Sequence, residues 1–272
     1  MTCKVGILYI CCGRYEVFWQ RFYESAEKYL LNDCTKHYFV YTDAIESPKF
    51  RHPNVTVIPQ ENLGYPDSTL KRFEMFVRDE KLFEGMDYLL FFNSNLEIKK
   101  KISQTDLGLL PGTELIATVH PGYVNKGNKL FPYERSPLSR ACIPLGDGQR
   151  YYAGGLQGGT TEDYLKAAKK ISREIVEDLN RGIVAIWHDE SHWNRYLHEK
   201  NNVVALGPEY LQPEGWALPS SAKILIKNKD VWYGNAYLRR GGKINSKSTT
   251  LVKLARLYML EMPLRMLLQR LK

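Results

Sequence analysis

Asp87-Tyr88-Leu89-Leu90-Phe91-Phe92-Asn93-Ser94-Asn95 is the stretch that decides the fold. Tyr88 to Phe92 is continuously apolar, without the alternation of a strand that has one wet face. Both of its faces must therefore be buried, as in a central strand of an α/β sheet. The run stops abruptly at two asparagines flanking a serine. In open α/β sheets ligands bind outside the carboxyl ends of the strands, which is where Asn93 and Asn95 fall. Asn-Ser-Asn is also ordinary turn chemistry, so the tripeptide gains meaning only from its surroundings.

Working outward, Lys4–Ile10 reads as a strand, Glu16–Leu31 as an amphipathic helix, and residues 37–42 and 54–58 as further strands. A helix is expected over Ser68–Leu82 before the Asp87 strand, another strand at Leu115–Val119, and a charged helix over Thr161–Asn180 capped by Thr160 or Thr161. Strands alternating with helices predict an α/β fold with a largely parallel sheet. No repeat or linker divides the body, so one domain is expected over 1–245. The Gly/Ser/Thr/Lys-rich residues 241–250 separate it from a basic, amphipathic tail at 246–272.

The chain has 272 residues and a formal charge of +8. Residues 223–272 hold 12 Lys/Arg against 2 Asp/Glu, whereas the first 222 hold 26 against 28. A nucleic-acid binder would more often carry a basic stripe across its folded body, so no nucleic-acid partner is expected. A basic tail points to anionic lipid or to a substrate phosphate. In Thr250–Lys272, Leu251, Leu254, Ala255, Tyr258, Met262 and Met266 alternate with Lys253, Arg256, Arg265, Arg270 and Lys272, a pattern suited to the surface of an anionic membrane. A helix packed on the body is the alternative. Five cysteines (Cys3, Cys11, Cys12, Cys34, Cys142) show no metal spacing, and a strand pattern begins almost at once after Met1. Reduced thiols and a cytoplasmic location, peripheral on the inner membrane face, are expected.

Three segments carry chemistry. Aspartates in an Asp-x-Asp arrangement at a strand end would hold a divalent ion against a diphosphate. Asparagine keeps their size but has no charge and is a poor lone ligand for a hard cation, so Asn93 and Asn95 suggest a nucleotide-sugar site that works without metal and needs no cofactor. Tyr151-Tyr152-Ala153-Gly154-Gly155-Leu156-Gln157-Gly158-Gly159 has the glycines that let backbone approach a bulky ligand, but matches neither a Walker loop nor a dinucleotide fingerprint. An irregular turn before the next helix is the bland alternative. Trp187-His188-Asp189-Glu190-Ser191-His192-Trp193-Asn194 is dense in acids, histidines and aromatics. His188 and His192, four apart, invite a zinc reading, but no third ligand is evident. A helix N-terminus with Asp189 as its cap is a further possibility.

Together, in this order, these segments resemble glycosyltransferase family 6, which includes the blood-group A and B transferases and the α1,3-galactosyltransferases. Phe22-Tyr23-Glu24-Ser25-Ala26-Glu27-Lys28, Leu70-Lys71-Arg72-Phe73-Glu74-Met75, His120-Pro121-Gly122-Tyr123 and Phe131-Pro132-Tyr133-Glu134-Arg135 match as well, so the resemblance covers roughly residues 4–240. It implies a GT-A fold and transfer of GalNAc or Gal from a UDP-sugar to a galactose 3-hydroxyl with retention. It also implies metal independence for members with Asn-x-Asn. By this resemblance Glu190 lies beside the anomeric carbon, as nucleophile or as electrostatic partner of an oxocarbenium-like state. Asp189 would bind the donor sugar, Arg72 the sugar or phosphate, and Ile10 to Tyr15 the uridine. Ala153, Gly154 and Gly155 would set donor choice, with a small residue at 155 favouring GalNAc. His120 and Trp187 would hold the acceptor galactose. Lys227 matches a tail lysine of the family, and Arg239 or Arg240 would supply a second cation for the diphosphate. Pro132 stands where many members have an acceptor-binding threonine. The expected activity is α1,3-transfer of GalNAc to a β-galactoside, Fucα1,2Gal-containing, in bacterial surface-glycan synthesis. UDP-Gal as donor, or a non-catalytic carbohydrate-binding protein, are the alternatives.

Overall fold

In the computed structural model, residues 3–216, 218–240, 242–264 and 267 are described, apart from the side chains of Pro219 and Arg240. The elements in chain order are β1 (Lys4–Ile10), α1 (Trp19–Tyr29), β2 (Thr35–Thr42), β3 (Val55–Pro59), α2 (Asp67–Leu70), α3 (Arg72–Arg78), β4 (Tyr88–Phe92), β5 (Leu96–Ile98), β6 (Leu115–Val119), β7 (Tyr152–Thr160), α4 (Thr161–Asn180), α5 (His188–His198), β8 (Val203–Leu206), β9 (Gln212–Pro213), β10 (Ile224–Ile226), α6 (Lys229–Trp232), α7 (Asn235–Arg240) and α8 (Lys247–Arg256). Seven strands form one sheet in the order β3-β2-β1-β4-β7-β6-β8, parallel except for β7, which runs against both its neighbours. A small sheet, β5-β10-β9, stands beside it. This is the mixed, mostly parallel sheet flanked by helices that a GT-A fold requires.

The two sides of β1 and β4 explain their continuous apolarity. Val5, Ile7, Tyr9, Leu90 and Phe92 join Trp19, Phe22 and Ala26 of α1 in one core layer. Leu8, Leu89 and Phe91 join Phe73 and Phe76 of α3, Tyr164 and Ile171 of α4, and Trp193 of α5 in the other. Successive strand residues point to opposite faces, so two helical layers demand an apolar residue at every position.

The glycine-rich stretch is not a surface turn. It is β7, buried at the centre of the sheet between β4 and β6. A Cβ on Gly158 would stand 2.2 Å from the Leu89 carbonyl oxygen, and one on Gly159 would stand 2.2 Å from that of Glu114. Those two glycines are required by close packing of backbones. Between Ala117 and Thr118 of β6 the pairing partner jumps from Gln157 to Ala153, so Gly154, Gly155 and Leu156 bulge out of the β6 ladder. Bulges of this kind redirect backbone groups near active sites.

The expected helix over Ser68–Leu82 is broken. Lys71 separates α2 from α3, and Glu80–Phe83 continues only as a 3-10 turn. The charged helix expected at Thr161–Asn180 is α4, with the Thr160 side chain accepting from the Asp163 N–H. Asp189 does not cap α5; Trp187 holds that position without a side-chain cap bond.

Gly158→Ala should lower the melting temperature by roughly 5–10 °C, because a methyl there must part β4 from β7. Gly127, at φ −70° with nothing within 4 Å of an added Cβ, is the control. Gly127→Ala should leave thermal unfolding unchanged, and equal effects at the two positions would contradict the packing account.

Candidate active site

Beyond the carboxyl ends of β1 and β4 lies a cavity of about 440 Å³. Ile10, Cys12 and Tyr15 form one wall, Asn62, Tyr65, Ser68, Thr69 and Arg72 another, Phe91, Asn93 and Ser94 the floor, and Lys229, Leu238 and Arg239 the remaining side. Arg239 stacks over the Tyr65 ring in a cation–π contact, its guanidinium carbon 5.1 Å from the ring centroid. Arg14 ties the segment after β1 to α7 by donating to the carbonyls of Tyr237 and Gly242.

Arg72 is the hub of the site. Its Nη1 donates to the Gly154 carbonyl at 2.8 Å, its guanidinium lies over the Phe91 ring, and its Nε is 2.7 Å from Asp189 Oδ2. Both ions are buried. The Arg72 Nε–H is shared with the Thr69 carbonyl, and neither Asp189 oxygen receives an aligned hydrogen bond. Asp189 is thus held by charge and keeps acceptor capacity free. Burial pushes its carboxyl up to about 7 against the pull of Arg72.

Glu190 is the next residue of α5. His188 takes a left-handed backbone (φ +53°), and across it Trp187 is left exposed while Asp189 is fully buried. Such a conformation costs a β-carbon-bearing residue roughly 1–3 kcal/mol and gathers at functional sites. The Glu190 carboxylate accepts from the Tyr151 hydroxyl at 2.6 Å and from the Gly154 N–H at 2.7 Å. The bulge in β7 is what frees that N–H from the β6 ladder. Burial raises the Glu190 carboxyl, and the two hydrogen bonds oppose the rise. Asn194, one turn on, donates to the Glu190 and Tyr152 carbonyls and accepts from the Tyr152 N–H, fastening α5 to β7.

The site therefore brings together Ile10, Tyr15, Arg72, Asn93 and Arg239 in the cavity wall, with Asp189, Glu190 and Gly154 directly behind Arg72. Ala153 and Gly155 lie in the same buried strand, and the Gly155 carbonyl accepts from the Asn93 N–H. His120 and Trp187 do not line the cavity. His120 packs on Tyr151 and Tyr123, and so reaches Glu190 through Tyr151.

Two residues are placed otherwise than expected. Asn95 is buried and outside the cavity; its side-chain amide donates to the Lys227 carbonyl. Lys227 does not line the cavity either. Its ammonium pairs with Glu214 at 2.5 Å and with Glu97 at 3.5 Å, and covers the Trp232 ring. The lysine that faces the cavity is Lys229, two residues on, its pKa lowered to about 8 by burial and by Arg239 and Arg72. The Arg240 side chain lies outside the described residues. His188 and His192 do not converge: His188 meets Tyr65, whereas His192 is buried beside Asp178.

The sequence model of Glycosyltransferase family 6 matches residues 1–235. The chain is 32% identical over 233 residues to the O-antigen biosynthesis glycosyltransferase WbnI of Escherichia coli, covering 85% of this chain and 98% of that protein. It is 31% identical over 231 residues to the histo-blood group ABO system transferase 1 of Rattus norvegicus, covering 81% and 64%. Against the globoside alpha-1,3-N-acetylgalactosaminyltransferase 1 of Homo sapiens the identity is 28% over 232 residues, covering 83% and 65%. The chain spans slightly less than two thirds of the length of these two vertebrate relatives.

An acid whose folded pKa is raised contributes stability at low pH that is lost as pH rises through the folded value. The ligand-free protein should therefore lose stability relative to Asp189→Asn between pH 6 and pH 8.5. The melting-temperature difference should move by roughly 5 °C over that range. The unpaired Arg72 of the variant adds a constant offset, since it does not titrate there. A difference independent of pH would show that Asp189 is fully ionised throughout.

Proposed function

This chain belongs to glycosyltransferase family 6, and we propose that it transfers GalNAc from UDP-GalNAc to the 3-hydroxyl of a β-galactoside, with retention and without a metal ion. The observation that carries the reading is the Glu190 carboxylate, fixed between the Tyr151 hydroxyl and the Gly154 N–H behind the Arg72 wall of the cavity. Uridine fits between Ile10, Cys12, Tyr15 and Asn62. The diphosphate then falls near Lys229, Arg239 and Arg72, where cations replace a metal as counter-charge. Asn93 faces the donor sugar, and the buried Asp189 acts on it from behind Arg72. As the bond from C1 to the UDP oxygen breaks and its electron pair leaves with UDP, positive charge grows at C1. Glu190 stabilises that charge until the acceptor oxygen bonds to C1, or bonds to C1 itself and is displaced by that oxygen in a second step; in either case the acceptor's hydroxyl proton passes to the departing diphosphate.

A methyl at Gly155 would meet Asn93 Nδ2 at 3.2 Å and Leu211 at 3.3 Å. Gly155→Ala would thus act on the donor sugar through the Asn93 side chain, and GalNAc as the donor rests on the small residue at 155 that the family resemblance associates with it. The acceptor approaches past His120 and Trp187. Pro132 offers it no hydroxyl. The likeness to an O-antigen biosynthesis glycosyltransferase supports a surface glycan as the setting, and the acceptor proposed within it is a β-galactoside carrying α1,2-fucose.

The tail supports a cytoplasmic enzyme resting on the inner membrane face. No helix among the described residues is long and apolar enough to cross a membrane. Leu254, Leu257, Tyr258 and Met262 turn toward the body, but Leu251, Val252, Met259, Leu260, Leu264 and Leu267 form an exposed stripe along α8 and its continuation. Lys247 borders it, and so does Arg256, which pairs with Glu261 at 3.1 Å. An apolar stripe edged by cations binds an anionic interface.

Glu190→Gln should lower turnover by about 100-fold or more while changing UDP affinity less than about twofold, since the charge acts on the sugar and not on the nucleotide. Near-normal turnover would remove Glu190 from the mechanism. Full-length protein should sediment with anionic liposomes, and Leu251→Ser/Met259→Ser/Leu260→Ser should release it. Sedimentation that survives these changes would refute the membrane contact.

A further inference from the structure

Residues 246–262 lie beyond the family match at 1–235, yet they grip α6, the helix that carries the cavity lysine. Lys229 opens α6, which is four residues long. A helix so short has no stability of its own, so its position depends on what grips it. The residues on either side of Lys229 are gripped from the C-terminal side. Lys253 of α8 donates to the Asp230 carbonyl at 3.1 Å and pairs with its carboxylate at 2.9 Å. Thr250 donates to the Trp232 carbonyl, and Asn245, just before α8, donates to the carbonyls of Asp230 and Val231 at 2.7 and 2.8 Å.

A second grip works through Glu214. This buried carboxylate accepts from the Asn228 N–H and the Trp232 indole N–H, each at 2.8 Å, and pairs with Lys227. The turn after α8 packs against this segment. Leu257 is buried with its side chain over Gly215, where an added Cβ would stand 2.4 Å from a Leu257 methyl, and Tyr258 lies close enough to Glu214 for their charges to interact. Lys229 thus sits between Asn228, fixed by Glu214, and Asp230, fixed by α8.

We infer that the C-terminal helix is a positioning element for donor binding: by bracing α6 it holds the Lys229 ammonium in the cavity, ready for the diphosphate. The inference rests on the donor reading given above and adds a residue set outside the family match. A brace removes from binding the cost of ordering the lysine, so its loss should appear as weaker affinity for the nucleotide. The helix then has two separate faces, since the stripe of Leu251, Val252, Met259 and Leu260 takes no part in this contact.

The test is a double-mutant cycle read by calorimetric titration with UDP. Truncation after Lys247 should weaken UDP binding about tenfold, and Lys253→Met about threefold, in an otherwise native chain. In a Lys229→Met background, which has already lost the cation, neither change should weaken binding further. Unchanged affinity on truncation would overturn the inference, and so would an equal loss in both backgrounds, which would mark a general loss of structure. If the truncated chain fails to fold, the Lys253→Met pair decides by the same criterion. A wild-type chain that does not bind UDP would instead overturn the donor reading, and this inference with it.

Discussion

The buried guanidinium of Arg72 is the constraint on which the site depends. It reaches three elements at once: the Phe91 ring on β4, the Gly154 carbonyl on β7 and the Asp189 carboxylate on α5. Taking both ions out of water costs several kcal/mol, and the attraction between them repays this only when the geometry is tight. Removing either partner would leave an uncompensated charge in the core. The arrangement therefore fixes the distance between β7 and α5, and with it the place of Glu190, the neighbour of Asp189. The same guanidinium lines the cavity, so one side chain joins the rigid core to the ligand space.

What this pair fixes, the irregular backbone makes usable. A regular β7 would give the Gly154 N–H to the sheet, but the bulge opposite Ala117 and Thr118 releases it to the Glu190 carboxylate. The left-handed turn at His188 does the equivalent for α5, letting Trp187 stay exposed while Asp189 is buried. Opposite these, the positive wall is assembled from the C-terminal segment. Lys229 and Arg239 stand on two short helices, and each is tied down by contacts from elsewhere: α6 by α8 and Glu214, α7 by Arg14 and Tyr65. The acidic half of the site is thus built into the sheet and its packed helices, and the basic half is strapped on.

That division also explains how much could be read from the chain alone. β1 and β4 were legible because burial on both faces leaves an uninterrupted apolar run, and α4 because Thr160 and Asp163 form a local cap. Arg72, Asp189 and Glu190 were legible through long runs that resemble a known family. The β7 glycines were visible as glycines, but their reason lies in carbonyls of β4 and β6 that are distant in sequence. Lys227 and Lys229 could not be told apart. They are two residues apart at a junction between a strand and a one-turn helix, and only Glu97 and Glu214, more than 120 and 10 residues away, determine which is neutralised. Asn95 looked like a ligand-facing partner of Asn93, yet the turn that carries them sends one side chain to the cavity and the other to the Lys227 carbonyl. In the tail, Leu254, Tyr258 and Met262 of the expected membrane-facing set turn toward the body, Met266 lies outside the described residues, and the exposed stripe is formed mostly by Val252, Met259, Leu260, Leu264 and Leu267, with Leu251 common to both. Which of them meet the body was decided by Gly215 and Asp230, which no helical periodicity reveals.

Transfer with retention, by a site whose counter-charges are lysine and arginine, is the proposed activity. It is tested most directly by following UDP-GalNAc and a fucosylated β-galactoside by proton NMR with a chelator present throughout. An α-linked GalNAc on the galactose 3-oxygen, formed at a rate that added Mn²⁺ does not raise, is the predicted result. A β-linked product, or transfer that begins only when Mn²⁺ is supplied in excess of chelator, would contradict it.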